Sequence, residues 1–300
     1  MKTVYSQKHQ LRDAETELYG GQLGPPFERP SRVDMILKAV RVADLGPVEE
    51  PNEYGLEPVL QVHDADFVAF LESAWDEWQA AGFEGEAMAT NWPARRMQQR
   101  APRYIEGKIG YYALAAETSI TAGTWEAAIA SKDVALTAAS LIINGAAAAF
   151  ALCRPPGHHA TRDMYGGYCF LNNAAISAQF FCDAGSNKTA ILDIDFHHGN
   201  GTQDIFYERD DVLFCSLHGD PEDALRRIES FNPDNLVVSL GVDTFENDPI
   251  SFFKLQTKDY LTVGDLISEL DLPTLFVMEG GYDIDKVGLN TVNVLTGFEK

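Results

Sequence analysis

The sequence predicts an α/β fold, a single domain built on an open, mostly parallel sheet flanked by helices on both faces. Three observations lead there. Apolar, strand-like runs and helical patterns alternate regularly from about Ala147 onward. The 300 residues are 45% hydrophobic, enough for a full core, and no linker divides them. Four segments rich in polar chemistry each end or follow a predicted strand, which is where open α/β sheets place their ligands.

In chain order, helices are expected over 31–43, opening after Pro30 with a Ser31 cap, over 66–81 and over 125–143. Strands follow over 148–154, 189–196, 212–218, 236–243 and 275–279, with helical patterns between them at 171–183, 224–230 and 263–270. A long irregular stretch over 82–104 holds two prolines and Arg95, Arg96, Arg100 and Arg103. Long loops in compact domains tend to be functional. This basic patch can dock on the acidic surface of a second subunit or stand solvated, and a homodimer through the loop is expected.

The formal net charge of -22 argues against nucleic acid, whose phosphates it would repel, and draws in cationic ligands. No segment is apolar enough to span a bilayer, and Met1 to Ser6 do not open a signal sequence. A soluble, unexported protein is expected, without membrane partners. Cys153, Cys169, Cys182 and Cys215 lack paired ligand spacing and read as buried thiols in a reducing cytoplasm.

Residues 191–202 read Ile-Leu-Asp-Ile-Asp-Phe-His-His-Gly-Asn-Gly-Thr. In a strand, Asp193, Asp195 and His197 share one face, and two bare carboxylates buried there are costly without a cation. Asp243 ends another apolar run, in Leu-Gly-Val-Asp-Thr-Phe-Glu-Asn-Asp-Pro over 240–249. Asp195, His197 and Asp243 offer one nitrogen and two oxygens, a set suited to zinc with a position open for water. In Arg-Pro-Pro-Gly-His-His-Ala over 154–160, the paired His158 and His159 cannot both face one core, so at least one meets solvent or a ligand. In Met-Glu-Gly-Gly-Tyr over 278–282, paired glycines let the Tyr282 phenol approach a metal, where it can donate to a polarised carbonyl oxygen.

These four segments, in their order along the chain (154–160, 191–202, 240–249 and 278–282), resemble the zinc-dependent histone deacetylase superfamily, whose fold is arginase-like. Four amino-terminal features narrow the resemblance to bacterial acetylpolyamine amidohydrolases: Glu-Thr-Glu-Leu-Tyr-Gly-Gly over 15–21, Val-His-Asp-Ala-Asp over 62–66, the long loop before Tyr104 and Glu-Gly-Lys-Ile-Gly-Tyr-Tyr over 106–112. The resemblance implies one catalytic zinc on Asp195, His197 and Asp243. It also implies His159 as general base and acid, His158 as its electrostatic partner and Tyr282 polarising the amide. Asp193 would bond His158 and, with Ser216, Leu217 and the main chain of Asp195 and His197, hold a structural K+ or Na+. Asn200 would orient His159. Gly167 and Tyr168 would line the substrate channel, and Glu17, Glu106 and Glu117 would rim it, favouring small cationic acetylated amines.

The chain departs from this pattern after Pro221, where relatives usually continue through several tens of residues and this sequence runs straight into a helical pattern. The missing part would have supplied a channel wall and an edge strand. Three other activities compete with polyamine deacetylation. A protein acetyl-lysine deacetylase needs the long loop not to cap the site. A dinuclear manganese ureohydrolase needs bridging carboxylates that His198 and Asn200 do not supply. A catalytically silent polyamine-binding protein has no physical need for His158, His159 and Tyr282 together.

Overall fold

A computed structural model describes residues 1–94, 96–218 and 221–300. Its strands are β1 (Lys2–Val4), β2 (Glu17–Tyr19), β3 (Gln22–Gly24), β4 (Val48–Glu49), β5 (Ala148–Ala151), β6 (Thr189–Asp193), β7 (Val212–Ser216), β8 (Asn235–Leu240) and β9 (Thr274–Met278). The helices are α1 (Ser31–Val42), α2 (Glu57–Leu60), α3 (Ala65–Ala80), α4 (Ile105–Tyr111), α5 (Thr124–Ile143), α6 (Asn173–Asp183), α7 (Asn200–Phe206), α8 (Pro221–Phe231), α9 (Asp259–Ser268) and α10 (Val287–Phe298). Seven strands pair in the order β4-β1-β5-β9-β8-β6-β7, every pair parallel, while β2 and β3 form a separate hairpin.

The alternation of side chains along each strand builds two cores. Ala149, Ala151, Leu275 and Val277 face one core with residues of α3, α5 and α6. Phe150, Leu152, Phe276 and Met278 face the other with residues of α1, α9 and α10. Burial on both faces is what a parallel sheet with crossover helices requires. The register brings Asp193 opposite Ser239 and Leu240 opposite Met278, so the carboxyl ends of the central strands form one edge.

The strands stop earlier than the sequence predicts, at Ala151, Asp193, Ser216, Leu240 and Met278. Carboxylates capture the amides that would have continued the ladder beyond β6. The amide of Asp195 donates to Asp193 Oδ1 (3.1 Å), that of Phe196 to Asp243 Oδ1 (2.8 Å) and that of His197 to Asp195 Oδ1 (2.9 Å). Asp195 and His197 therefore sit on a loop rather than on the alternating strand expected for them. Strands β1 and β4, of three and two residues, are too short to show a period. Helix α10 was hidden by its glycines and β-branched residues, which disfavour helix unless packing overrides them.

In the 82–104 stretch, Ala87 and Ala89 are buried and Trp92 Nε1 donates to Ala113 O (2.9 Å), whereas Met97 and Tyr104 are exposed. Arg95 lies outside the described residues, as do Gly219 and Asp220 beside the shortened segment. Cys153, Cys169 and Cys215 are buried, but Cys182 is partly exposed, against expectation; all four are unpaired. No helix among the described residues is long and apolar enough to cross a membrane.

An ionic cluster is buried where α1 meets β5. The Glu28 carboxylate accepts from Arg32 Nη1 (2.9 Å) and Arg154 Nε (2.7 Å), and Arg12 is buried nearby. Burial works to raise the Glu28 pKa, but Arg154, Arg32 and Arg12 outweigh it and hold the group below its ordinary 4.5. Such a depressed carboxylate stabilises the fold above the unfolded-state pKa, and the contribution is lost as pH falls through the folded value. Glu28→Gln leaves buried guanidinium charge uncompensated and should cost about 3–5 kcal/mol at pH 7. Urea unfolding should show the gap to wild type narrowing as pH drops below 4.5; a gap independent of pH would refute the ionic account.

Candidate metal and catalytic site

The carboxyl edge of the sheet brings together the loops after β5, β6, β8 and β9. Asp195 and Asp243 are fully buried, and His197 is partly exposed between them. His197 Nδ1 lies 2.8 Å from Asp243 Oδ2 and 3.3 Å from Asp195 Oδ1, and the ligand atoms of the three converge within 4.8 Å. Burial and the neighbouring Asp195 charge push Asp243 up to about 8. Burial opposes a proton on His197, but its bonds to Asp195 and Asp243 raise it to about 10. Two buried carboxylates this close call for a positive charge, and these three residues could hold a metal ion. The space fits as well. A Cβ at Gly280 would come within 2.6 Å of Asp195 Oδ2 and 2.8 Å of Asp243 Oδ2, so only glycine leaves that cradle open. The Gly280 amide donates to Asp195 Oδ2 (2.8 Å).

The two adjacent histidines are both turned by bonds at Nδ1. His158 Nδ1 lies 3.0 Å from Asp193 Oδ2, and His159 Nδ1 lies 2.6 Å from Asn200 Oδ1. Their rings stand 4.1 Å apart, and His159 is 6.0 Å from the His197 ring. The two environments split their protonation. Burial disfavours charge on His158, but Asp195 and Asp193 overcome it and hold its pKa well above the ordinary value. Burial and the His158 charge push His159 down to about 3. The surroundings therefore favour a proton on His158 and disfavour one on His159, the split expected of an electrostatic partner and a base.

Tyr282 follows β9 with its ring 5.6 Å from Tyr168 and 4.7 Å below the Arg32 guanidinium. Burial raises its pKa well above the ordinary range although Arg32 opposes this, so the phenol remains a donor. Gly167 has φ 56°, and a Cβ there would run into the His159 ring, so no side chain fits between channel and base. Tyr168 also takes a positive φ, 68°. Its hydroxyl donates to Glu17 Oε2 (2.9 Å), and Glu117 Oε1 accepts the Gly167 amide (2.9 Å).

Glu17 is therefore buried behind Tyr168 and Glu117 braces Gly167, in contrast to the open rim expected for them. Glu106 stands exposed on the first turn of α4 and shares no hydrogen bond with this cluster among the described residues. Around Asp193, the Leu217 amide donates to its main-chain oxygen (2.9 Å), and the Ser216 hydroxyl lies 2.9 Å from His218 Nε2.

Four contributors were missed from sequence. Glu279 Oε2 accepts the amides of Gly157 (2.6 Å) and His158 (3.2 Å), fixing the turn that carries the histidine pair. With His158 and Cys169 it also forms a second group able to hold a metal, but His158 is committed to Asp193 and burial keeps the thiol protonated. Arg32 donates through Nε to Gly281 O (2.6 Å) and through Nη2 to Glu279 O (2.7 Å). A signal existed for Arg32, since it shares the core stripe of α1 with Ile36 and Val40, where a cation needs a buried partner. That partner is Glu28. Asp248 accepts the Tyr282 amide (2.8 Å), and its only sequence mark was a second aspartate shortly after Asp243.

Comparison with known proteins agrees with this geometry. The histone deacetylase domain family matches over residues 26–224 and 221–298. The acetylpolyamine amidohydrolase of Mycoplana ramosa is 53% identical over 338 aligned positions, covering 99% of either chain. Acetylpolyamine amidohydrolase 2 of Pseudomonas aeruginosa is 48% identical, covering all of this chain and 99% of its own. The crystal structure of an acetylpolyamine aminohydrolase from Burkholderia pseudomallei superposes with a TM-score of 0.94 at 35% identity, over 99% of this chain and 98% of that one. An alignment of 338 positions against 300 residues means that the Mycoplana relative carries residues without counterpart here. The two family matches join at 221–224, where the sequence runs short. With its parallel sheet, its loops converging at the carboxyl edge and relatives matched from end to end, this chain belongs to the histone deacetylase family.

Proposed function

We propose that this chain hydrolyses the acetamide of acetylated polyamines or related small acetylated amines, releasing acetate and the free amine. The observation that carries the proposal is the convergence at one sheet edge of two adjacent histidines, turned by Asp193 and Asn200, with three ligand residues and the Tyr282 phenol. The names of the relatives support the substrate class.

Asp195, His197 and Asp243 would hold the zinc. Bound there, zinc polarises the acetamide carbonyl and lowers the pKa of water. His159 takes the proton of the attacking water at Nε2, because Nδ1 is tied to Asn200, and returns it to the leaving amine. His158, held by Asp193, keeps a positive charge beside the developing negative one. Tyr282 donates its hydroxyl to the carbonyl oxygen as that oxygen gains charge. Gly167 and Tyr168 would form the channel wall, braced from behind by Glu117 and Glu17, while the exposed Glu106 and the net charge of -22 favour cationic chains. Asp193, the Ser216 hydroxyl and the main-chain oxygens of Asp195, His197 and Leu217 would hold K+ or Na+.

We read residues 1–300 as one catalytic domain shortened after Pro221, dimerising through the 82–104 loop, whose exposed Met97 and Tyr104 suit an interface. Four unpaired thiols fit a reducing cytoplasm. The shortened segment favours one second reading, a metal-containing protein that binds polyamines with impaired turnover.

Three measurements test this. The zinc-loaded protein should release acetate from acetylputrescine, acetylcadaverine and acetylspermidine faster than from an acetyl-lysine peptide. The reverse preference would mark a protein deacetylase, and tight binding without release would mark the impaired form. Tyr282→Phe should keep zinc and lose about a hundredfold or more in turnover; undiminished acetate release would remove it from the mechanism. Asp243→Ala should release the metal, whereas His159→Ala should abolish turnover with the metal retained. An empty site in the His159 variant, by elemental analysis, would overturn the ligand assignment.

A further inference from the structure

Asp248 lies on the loop beyond Asp243 and is 7% exposed. Its two carboxylate oxygens are divided between two amides. Oδ2 accepts from Tyr282 (2.8 Å) and Oδ1 from Ile250 (3.1 Å). The first of these bonds completes a grip on one peptide unit, because the carbonyl oxygen of the same Gly281–Tyr282 peptide accepts from Arg32 Nε (2.6 Å). A cation therefore holds the oxygen end and an anion the N–H end.

Gly280 is tied through its amide to Asp195 Oδ2 (2.8 Å) and through its oxygen to the Val242 amide (3.0 Å), which leaves Gly281 as the permissive residue before the tyrosine. Gly280 and Gly281 precede the tyrosine, and Gly281 has φ 128°, a conformation open to glycine and strained for other residues. Without its anchors, this peptide plane can rotate at little cost. Rotation re-aims the Tyr282 Cα–Cβ bond and displaces a hydroxyl that sits at the far end of a rigid ring. The ring contacts with Tyr168 and Arg32 restrain the ring from its faces, but only the peptide bonds fix the direction from which it projects.

We propose that Asp248 is a positioning residue for Tyr282, locking the Gly281–Tyr282 peptide plane and so the line along which the phenol is offered to the substrate carbonyl. Asp248 touches neither substrate nor metal in this role. The kinetic consequence rests on the reading of Tyr282 as the oxyanion donor, whereas the geometric consequence does not.

The test uses the zinc-loaded protein with Asp248→Ala, Asp248→Asn, Tyr282→Phe and the Asp248→Ala/Tyr282→Phe double variant. Zinc content and thermal midpoint are recorded for each. Asp248→Ala should lower kcat by roughly ten- to a hundredfold with KM and zinc unchanged. It should add little to the loss already made by Tyr282→Phe, because it acts through that phenol. Asp248→Asn keeps one acceptor oxygen and should recover most of the loss, which also covers an alanine variant that folds poorly.

Ring-labelled tyrosine NMR gives a readout independent of turnover. The Tyr282 resonance, assigned by its absence in Tyr282→Phe, should shift or split in Asp248→Ala and return toward its position in Asp248→Asn. A multiplicative loss in the double variant, or an unmoved resonance in folded Asp248→Ala, overturns the proposal. Full turnover by Tyr282→Phe together with a displaced resonance in Asp248→Ala would retain the positioning role and refute the oxyanion-donor reading instead.

Discussion

Two carboxylates buried against one imidazole at the carboxyl edge of a parallel sheet are the constraint on which this structure depends. Asp195 and Asp243 cannot both stay charged in that place without a compensating positive charge. Strand β6 ends early because these same carboxylates draw the amides of Phe196 and His197 onto themselves. The loops after β8 and β9 close over the pair with glycines, because Gly241 leaves room beside Asp195 and Gly280 beside both carboxylates. The cost of keeping the pair buried makes the edge a place where a cation belongs.

A second set of charges, of opposite sense, underlies the catalytic loop. In a chain of net charge -22, Arg12, Arg32 and Arg154 are all buried around one glutamate. Their yield is geometric. Arg32 extends from α1 to the carbonyls of Glu279 and Gly281, so the amino-terminal helix sets the path of a loop about 250 residues later. This is why the amino-terminal segments belong to the site although they supply no metal-type ligand. Glu17 and Glu117 act in the same indirect way, bracing Tyr168 and Gly167 from behind rather than presenting bare charge to solvent.

Much of the site was legible from sequence because its residues are clustered in short motifs. Asp195 and His197, the His158–His159 pair, Asp243 and Tyr282 each lie within a few residues of a predicted strand end, and parallel strands deliver such ends to one edge. The residues that were missed have a different signature. Arg32, Glu279 and Asp248 act through backbone atoms of distant segments, Glu28 acts through the side chains of Arg32 and Arg154, and nothing local in a sequence marks which group such a residue will reach. The missed secondary structure has a similar cause. Strands β1 and β4 are too short for a period, and α10 forms against its own propensity because α1 and α9 bury it.

The sequence by itself determined the fold class, the order of strands β5 to β9 with helices α1, α3, α5, α6, α8 and α9, and the identity of the chemical groups, since these follow from periodicity, turn residues and local spacing. Only the tertiary structure decided how those groups behave. The alternating strand expected for Asp195 and His197 became a loop, Glu17 turned inward, and two adjacent histidines met different surroundings, Asp195 and Asp193 favouring a proton on His158 while burial and His158 disfavour one on His159. Burial and the approach of remote charges set protonation and direction. Both depend on distances through space that a linear chain does not contain.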